Sequence, residues 1–371
     1  MTVAPLPGFL LELSPSVAER AAADIATLLR TAQHLTMGMW GERFEAAFAR
    51  AAGTQYAVAT ATGTAALEIA LRAAGVTGRE VVVPTVTFGA TPVAVLRAGG
   101  IPVLCDSAPC GIVPGPAEVE QVLSARTAAV VVVHIGGLID PGTEAIATLC
   151  RERGVALVED AAHAAGSTLG GRGPGHLGLA AAYSFFNTKV LSCGEGGMLA
   201  TDDPDVVSTA RLLRDHAKDP TGAMTTTGYS WRLPELSAVL GTYQLDELPS
   251  IIAGRAAVAA AYIEAVQQAG IAVVAPGEGT TSNWYKVIVQ TATMSGDDVE
   301  RGLTARGVTP AGRVYAVPCH RQVAFAEFGL GPFTNADLHA DNHVCLPIHS
   351  TMRTAEVERV VAALVKVLRG A

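Results

Sequence analysis

Lys189 stands inside the stretch Ser184-Phe185-Phe186-Asn187-Thr188-Lys189-Val190-Leu191-Ser192-Cys193-Gly194-Glu195-Gly196-Gly197. The apolar run 180–186 reads as a buried strand, and the glycines that follow lead into a second apolar segment, 198–201. The lysine therefore falls just past a strand end, among aromatic and small residues. Partial desolvation there disfavours the ammonium and leaves an amine able to condense with an aldehyde. Ser184 and the amides of the glycine turn could hold an anionic group nearby. A second set of residues closes another apolar run, 155–158: Glu159, Asp160 and, three positions on, His163. A carboxylate at the mouth of a buried strand is costly unless something cationic receives it. A protonated pyridine nitrogen is such a partner, and Asp160 would then keep that ring positive as an electron sink. His163 could reach a phenolic oxygen on the same ring. Gly63-Thr64 open a helical stretch and present free amides at its positive end, which suits a phosphate. Phe88, after Pro84-Thr85-Val86-Thr87 at another strand exit, offers an aromatic face to a ring.

These groups need a scaffold that brings strand ends together. Short continuous apolar runs at 56–60, 80–83, 101–105, 128–133 and 155–158 alternate with helical stretches at 65–74, 87–97, 116–124 and 141–153. Runs without polar alternation imply strands buried on both faces, hence an α/β layer with a parallel sheet and ligands beyond its carboxyl ends. Helices are also expected at 16–33 and 41–52 before this unit, and at 203–217 and 234–248 after the lysine stretch. A long helix at 250–269 would link to a smaller α+β unit built from 271–274, 284–290, 295–306 and 355–368, with loops at 277–281 and 329–333. The expected division is a large domain, 1–249, and a small carboxyl-terminal domain, 250–371.

The composition narrows the partners. Half of the 371 residues are hydrophobic, 16% are charged, and the net charge is -8 without any Lys/Arg block. That argues against a nucleic-acid or anionic-membrane surface and for a small-molecule partner. The six cysteines, Cys105, Cys110, Cys150, Cys193, Cys319 and Cys345, show no Cys-x-x-Cys pair, so no metal site is expected and they read as reduced. The amino terminus lacks a basic segment, and the longest apolar run, 128–139, is short for a bilayer span, so a cytoplasmic enzyme is expected. Gly173-Pro174-Gly175-His176-Leu177-Gly178 matches a dinucleotide fingerprint in letters only. It precedes a strand, whereas the fingerprint must follow one and open a helix.

Taken in order, Gly63-Thr64, Phe88, Glu159-Asp160-Ala161-Ala162-His163, Ser184 and Lys189 before Gly194-Glu195-Gly196-Gly197 resemble the fold-type-I sugar aminotransferases of the DegT/DnrJ/EryC1/StrS family. The resemblance runs from Gly38 and Arg43-Phe44-Glu45 to Leu346-Pro347-Ile348-His349. It implies a large domain with a mostly parallel sheet flanked by helices, plus a smaller α+β domain. It implies pyridoxal 5'-phosphate as cofactor, with Lys189 as its covalent attachment, Asp160 at the pyridine nitrogen and His163 near the phenolic oxygen. Phe88 would stack on the ring, and Gly63, Thr64 and Ser184 would hold the phosphate. The family's asparagine that reaches a neighbouring subunit's phosphate is replaced by Ser230 in Gly228-Tyr229-Ser230-Trp231-Arg232, within an expected homodimer with shared sites. The implied reaction moves an amino group from glutamate or glutamine to a keto group of a nucleotide-linked deoxysugar, in two stages. Trp40, Arg232, Tyr315 and His320 are expected near the acceptor, with Arg313 and Arg321 as further cations. A non-nucleotide keto-cyclitol is the alternative acceptor, and a non-catalytic cofactor-binding regulator the alternative of another class. The family's dehydratase branch carries histidine in place of the lysine, and Lys189 argues against it.

Overall fold

The computed structural model describes residues 5–31, 34–109, 111–219, 221–291, 294–329 and 331–370. Residues 32 and 33 of the first expected helix, Cys110 and Leu330 lie outside the described residues, as do 1–4. Helices α1 (Pro15–Arg30) and α2 (Met39–Ala52) precede strand β1 (Tyr56–Thr60) and α3 (Gly63–Ala73). The alternation continues through β2 (Glu80–Pro84), α4 (Ala90–Arg97), β3 (Ile101–Cys105), α5 (Pro116–Val122), β4 (Thr127–Val133), α6 (Gly142–Arg153) and β5 (Ala156–Asp160). A two-residue strand β6 (Thr168–Leu169) leads to β7 (Ala180–Ser184), β8 (Gly197–Thr201), α7 (Pro204–Arg214) and α8 (Glu235–Gln268).

Seven strands form one sheet in the order β1-β8-β7-β5-β4-β2-β3. The continuous apolar runs are buried on both faces by alternation. Val81 and Val83 of β2, with Ala129 and Val131 of β4, join one core with α3, α4 and α7. Val82, Val130 and Val132 point the other way, onto Val119 of α5 and Ile146 of α6. The sheet is not parallel throughout: β8 runs antiparallel to both β7 and β1. The chain between β7 and β8 is the lysine-bearing loop, which lacks the crossover helix a parallel return requires.

The helices expected on either side of Pro249 are one helix of 34 residues. Proline removes one hydrogen bond there, yet Leu245, Leu248 and Ile251 stay buried on both sides of it and packing carries the helix through. The expected boundary at 249/250 falls inside this element. By length and composition α8 could cross a bilayer. Its first half instead buries Val239 and Leu245 against the large sheet, and its second half buries Val258, Tyr262 and Val266 in another core. That core holds β10 (Val287–Gln290) and β11 (His343–Leu346), an antiparallel pair covered by α9 (Gly296–Ala305) and α11 (Thr354–Leu368), with α10 (Thr334–Asp341) before β11. The strand expected at 271–274 reduces to an isolated bridge between Val273 and Val289, since Pro276 and Gly277 turn the chain away. In the loop expected at 277–281, β9 (Thr280–Thr281) pairs with β6. The five described cysteines are free thiols, all buried.

Candidate active site

The lysine loop rests on an aromatic floor. Phe185 packs against Phe44 and Phe48 with ring centroids 5.1 and 5.4 Å apart, and Phe48 meets Tyr183 at 4.8 Å. Such pairs add roughly 0.5–1.5 kcal/mol each beyond area burial. Backbone bonds then close the loop: Phe185 donates to the Gly196 carbonyl at 2.9 Å, Lys189 to Phe186 at 2.9 Å and Cys193 to Phe185 at 3.1 Å. The lysine is thus presented from a fixed turn into a cavity of about 440 Å³ at the carboxyl ends of β4, β5 and β7. Gly63, Thr64, Phe88, Asp160, His163, Ser184, Lys189 and Tyr315 all line it.

Burial lowers the Lys189 amine from its ordinary 10.5 to about 8, with the nearby Lys286 ammonium acting in the same direction and Asp160 opposing. The neutral, reactive fraction of Lys189 accordingly grows about tenfold per pH unit up to that point and levels off above it. Reductive methylation with formaldehyde, mapped peptide by peptide, should show Lys189 reacting with a midpoint near pH 8, well below the ordinary 10.5 of a lysine amine. A midpoint above 10 would remove the premise that burial activates this amine.

Asp160 ends β5 and is 8% exposed. One carboxylate oxygen accepts from the Thr91 hydroxyl at 2.7 Å and the other from the Ala162 amide at 3.1 Å. Burial pushes its carboxyl up from the usual range, against the lowering effect of those bonds and of Lys189. No cation forms an ion pair with it among the described residues. Thr91 is itself tied to the Thr87 hydroxyl at 2.8 Å. Local sequence gives no sign of this bond, because Thr91 sits inside α4, 69 residues from its partner. Thr91→Val should lower the rate about 5- to 150-fold by loosening a buried charged hydrogen bond worth roughly 1–3 kcal/mol. The same change added to Asp160→Asn should cost little further, and full additivity of the two would show that Thr91 does not act through Asp160.

His163 follows β5 and accepts from the Gly136 amide at its Nδ1 (3.2 Å), leaving the proton of the neutral ring on Nε2, which lies 3.3 Å from the Tyr315 hydroxyl. Burial, with Lys189 and Lys286 nearby, holds this imidazole well below its ordinary pKa, so it stays neutral. Tyr285 packs on the His163 ring at 4.4 Å and shares a hydrogen bond with Thr188 at 3.2 Å. Phe88 is 64% exposed and turns a face into the cavity, 6.1 Å from the Tyr315 ring.

The amino end of α3 closes the opposite side. Thr62 caps it by accepting from the Ala65 amide at 3.1 Å. The amides of Gly63 and Thr64 have no protein acceptor among the described residues and face the cavity beside Ser184. Only glycine fits at position 63, since a Cβ there would stand 2.8 Å from the Ser184 Cβ and 3.0 Å from the Tyr183 carbonyl. Gly197 is needed for the same approach, as its Cβ would lie 2.3 Å from the Thr62 carbonyl carbon.

Within this chain the other expected residues lie elsewhere. Trp40 is buried at the start of α2, where its amide donates to Glu235 at 2.9 Å, and it lines a separate hollow with Arg43 and Tyr243. Ser230 is exposed and accepts from Arg232 at 2.7 Å, while Arg232 pairs with Asp215 at 2.5 Å. His320 is held between the Thr85 hydroxyl (2.8 Å) and Asp337 (2.9 Å) and stacks on Phe333, rather than standing in solvent or in the cavity lining. Arg321 is engaged by Asp337 and Asp341. Arg313 reaches the cavity wall but is paired with Asp297 and Glu300. The cavity also contains Lys286 and Tyr285, which sequence reasoning did not single out; they immediately precede the apolar strand β10, so no spacing marks them.

A buried carboxylate lacking a cation, free helix-end amides and a desolvated amine facing one cavity fit an aromatic phosphate ester that carries a basic ring nitrogen and an aldehyde. Comparison with known proteins agrees with that chemistry. The model of the DegT/DnrJ/EryC1/StrS aminotransferase family matches residues 15–365. The GDP-perosamine synthase of Caulobacter vibrioides is 33% identical over 90% of this chain and 91% of its own. A pleiotropic regulatory protein of Geobacillus stearothermophilus is 32% identical over 90% of each chain. The structure of DesI, solved in the presence of its TDP-sugar product, superposes with a TM-score of 0.90 at 30% identity, covering 99% of this chain and 94% of that one.

Proposed function

The chain belongs to the DegT/DnrJ/EryC1/StrS aminotransferase family and is a pyridoxal-phosphate-dependent aminotransferase; on that premise we propose that it moves an amino group from glutamate or glutamine to a keto group of a nucleotide-linked deoxysugar. The observation that carries the reading is the convergence of Lys189, cation-free Asp160 and the α3 amides on one cavity. The nucleotide-linked acceptor is supported by what the names of two relatives say of those proteins, GDP-perosamine in one and a TDP-sugar in the other.

Bound in the cavity, pyridoxal phosphate supplies an aldehyde that takes up amines and a ring that accepts the electron pair left when a proton departs. The Gly63 and Thr64 amides and the Ser184 hydroxyl hold the phosphate at the positive end of α3. Asp160 keeps a proton on the ring nitrogen, and the Thr91 hydroxyl and Ala162 amide fix its orientation. His163 presents an Nε2–H to the ring hydroxyl. The Lys189 Nζ, part neutral near pH 8, would serve as the base that takes a proton from the amine-bearing carbon of the donor and as the acid that returns it. Phe88 would stack on the ring, and it and Tyr285, both in the cavity wall, would keep water from these transfers. The protein acts as a homodimer, in which Ser230 and Arg232, neither of which lines its own cavity, face the partner's site. Its solution mass is then twice 38.1 kDa.

The deciding experiment supplies the cofactor-loaded protein with ¹⁵N-glutamate and no acceptor. One equivalent of 2-oxoglutarate per subunit should appear, and a GDP- or TDP-linked keto-deoxysugar added afterwards should carry away the ¹⁵N. Transfer only to a keto-inositol would replace the acceptor. The likeness to a regulatory protein favours a second reading, a cofactor-binding regulator; release of no oxo acid from either glutamate or glutamine would select it.

A further inference from the structure

The cavity holds a second lysine whose charge no carboxylate among the described residues meets. The Nζ atoms of Lys189 and Lys286 each lie 5.0 Å from the centroid of the Tyr285 ring. Lys286 is mostly buried at the entry to β10 and donates to the Ala311 carbonyl, and among the described residues it has no acidic partner. Arg313, the other cation on the wall, is already taken by Asp297, Glu300 and the Ala340 carbonyl. A buried ammonium with a single neutral acceptor remains short of one anion.

We propose that the Lys286 ammonium binds the α-carboxylate of the amino donor and so sets the donor's amine-bearing carbon against Lys189. This rests on the aminotransfer reading above. Two features select that anion. An α-carboxylate is one bond from the reacting carbon, so its cation must stand close to the reacting amine, and Lys286 is near enough to depress the basicity of Lys189. The diphosphate of a nucleotide-linked sugar is attached at the anomeric carbon, several bonds from the carbon to be aminated, and needs an anchor farther out. Placing the anion there also has a consequence for Lys189: a carboxylate beside Lys286 offsets the charge that opposes protonation, so Lys189 holds its proton more readily once the donor is bound.

Lys286→Gln keeps a donor for the Ala311 carbonyl and removes the charge; Lys286→Arg keeps the charge. With the cofactor-loaded enzyme, the glutamate concentration giving half-maximal release of 2-oxoglutarate should rise on the order of 10- to 100-fold in Lys286→Gln, as expected for loss of a charged hydrogen bond. Lys286→Arg should recover most of the loss, and the limiting rate should fall less than the half-saturation rises. Calorimetric titration with glutarate, which cannot react, should show the same loss of binding and stays informative if turnover is too slow to follow. Half-saturation and glutarate affinity within twofold of wild type in a folded Lys286→Gln protein would overturn the assignment. So would a loss seen only in the acceptor's half-saturation. If wild type itself neither binds glutarate nor releases an oxo acid from glutamate or glutamine, the aminotransfer reading falls and this inference with it.

Discussion

Lys189→Ala should give a folded protein that releases 2-oxoglutarate from glutamate at less than about a thousandth of the wild-type rate. Two functions disappear together, the nucleophile that holds the cofactor and the base that moves the proton, and proton transfer alone contributes on the order of 10²- to 10⁴-fold. Lys189→Arg should be as inactive, because a guanidinium stays protonated where an amine held near pH 8 does not. Neither loss comes from unfolding. Among the described residues Lys189 forms no ion pair, it lies 5.0 Å from the Tyr285 ring centroid, and the loop is held by backbone bonds and the Phe185 cluster. The direction of the pH effect on stability follows from the depressed pKa. Between about pH 8 and 10.5 the unfolded chain binds more protons at this lysine than the folded one, so wild-type stability gains with rising pH. Below pH 8 the cost of burying the ammonium is present in full. Melting of the cofactor-free proteins should therefore favour Lys189→Ala most at neutral pH, with the advantage shrinking toward pH 10.5. Activity of Lys189→Ala within tenfold of wild type would remove the lysine from the chemistry.

What the sequence conveys about this site divides along a physical line. Lys189, Asp160, Gly63 and Ser184 belong to strand ends and a helix start, positions that alternating apolar runs locate well, and the sheet brings them to one cavity. The strands at 56–60 and 101–105 coincide with their expected bounds for the same reason. Contacts between distant side chains leave no such trace. Thr91 meets Asp160 from inside an apolar helix, and Lys286, just before β10, shares the Tyr285 ring with Lys189. Trp40 and His320 show the converse. Each sits in a segment that looks poised for a ligand, yet Glu235 fixes the backbone at one and Asp337 holds the ring of the other. The antiparallel β8 and the unbroken α8 were hidden because strand direction depends on the connection, and because burial on both sides of Pro249 outweighs one lost hydrogen bond.

Asp160→Asn should separate cofactor chemistry from folding with opposite signs. An asparagine is nearly the same shape, its oxygen can accept from the Ala162 amide, and its amide can donate to the Thr91 hydroxyl. What it lacks is the charge. In the cofactor-free protein that charge is buried without a cation, and burial raises the carboxyl's pKa. A raised carboxyl contributes stability that is present at acid pH and lost as pH rises through the folded value. Near pH 7 the wild-type protein therefore bears the desolvation cost, and Asp160→Asn should melt at the same temperature or higher. Addition of pyridoxal phosphate should reverse the order. On the proposed role of Asp160 the ring nitrogen supplies the missing cation in wild type, so its melting temperature should climb by more than the variant's. The rate of oxo-acid release should fall roughly 10²- to 10³-fold in the variant, the scale seen when one preorganised electrostatic partner is removed. If the variant keeps its rate within tenfold and gains as much as wild type from the cofactor, Asp160 is a strand-end carboxylate with no part in holding a protonated ring. A variant that melts well below wild type without the cofactor would instead make Asp160 a structural residue, its charge satisfied by Lys189 across the empty cavity.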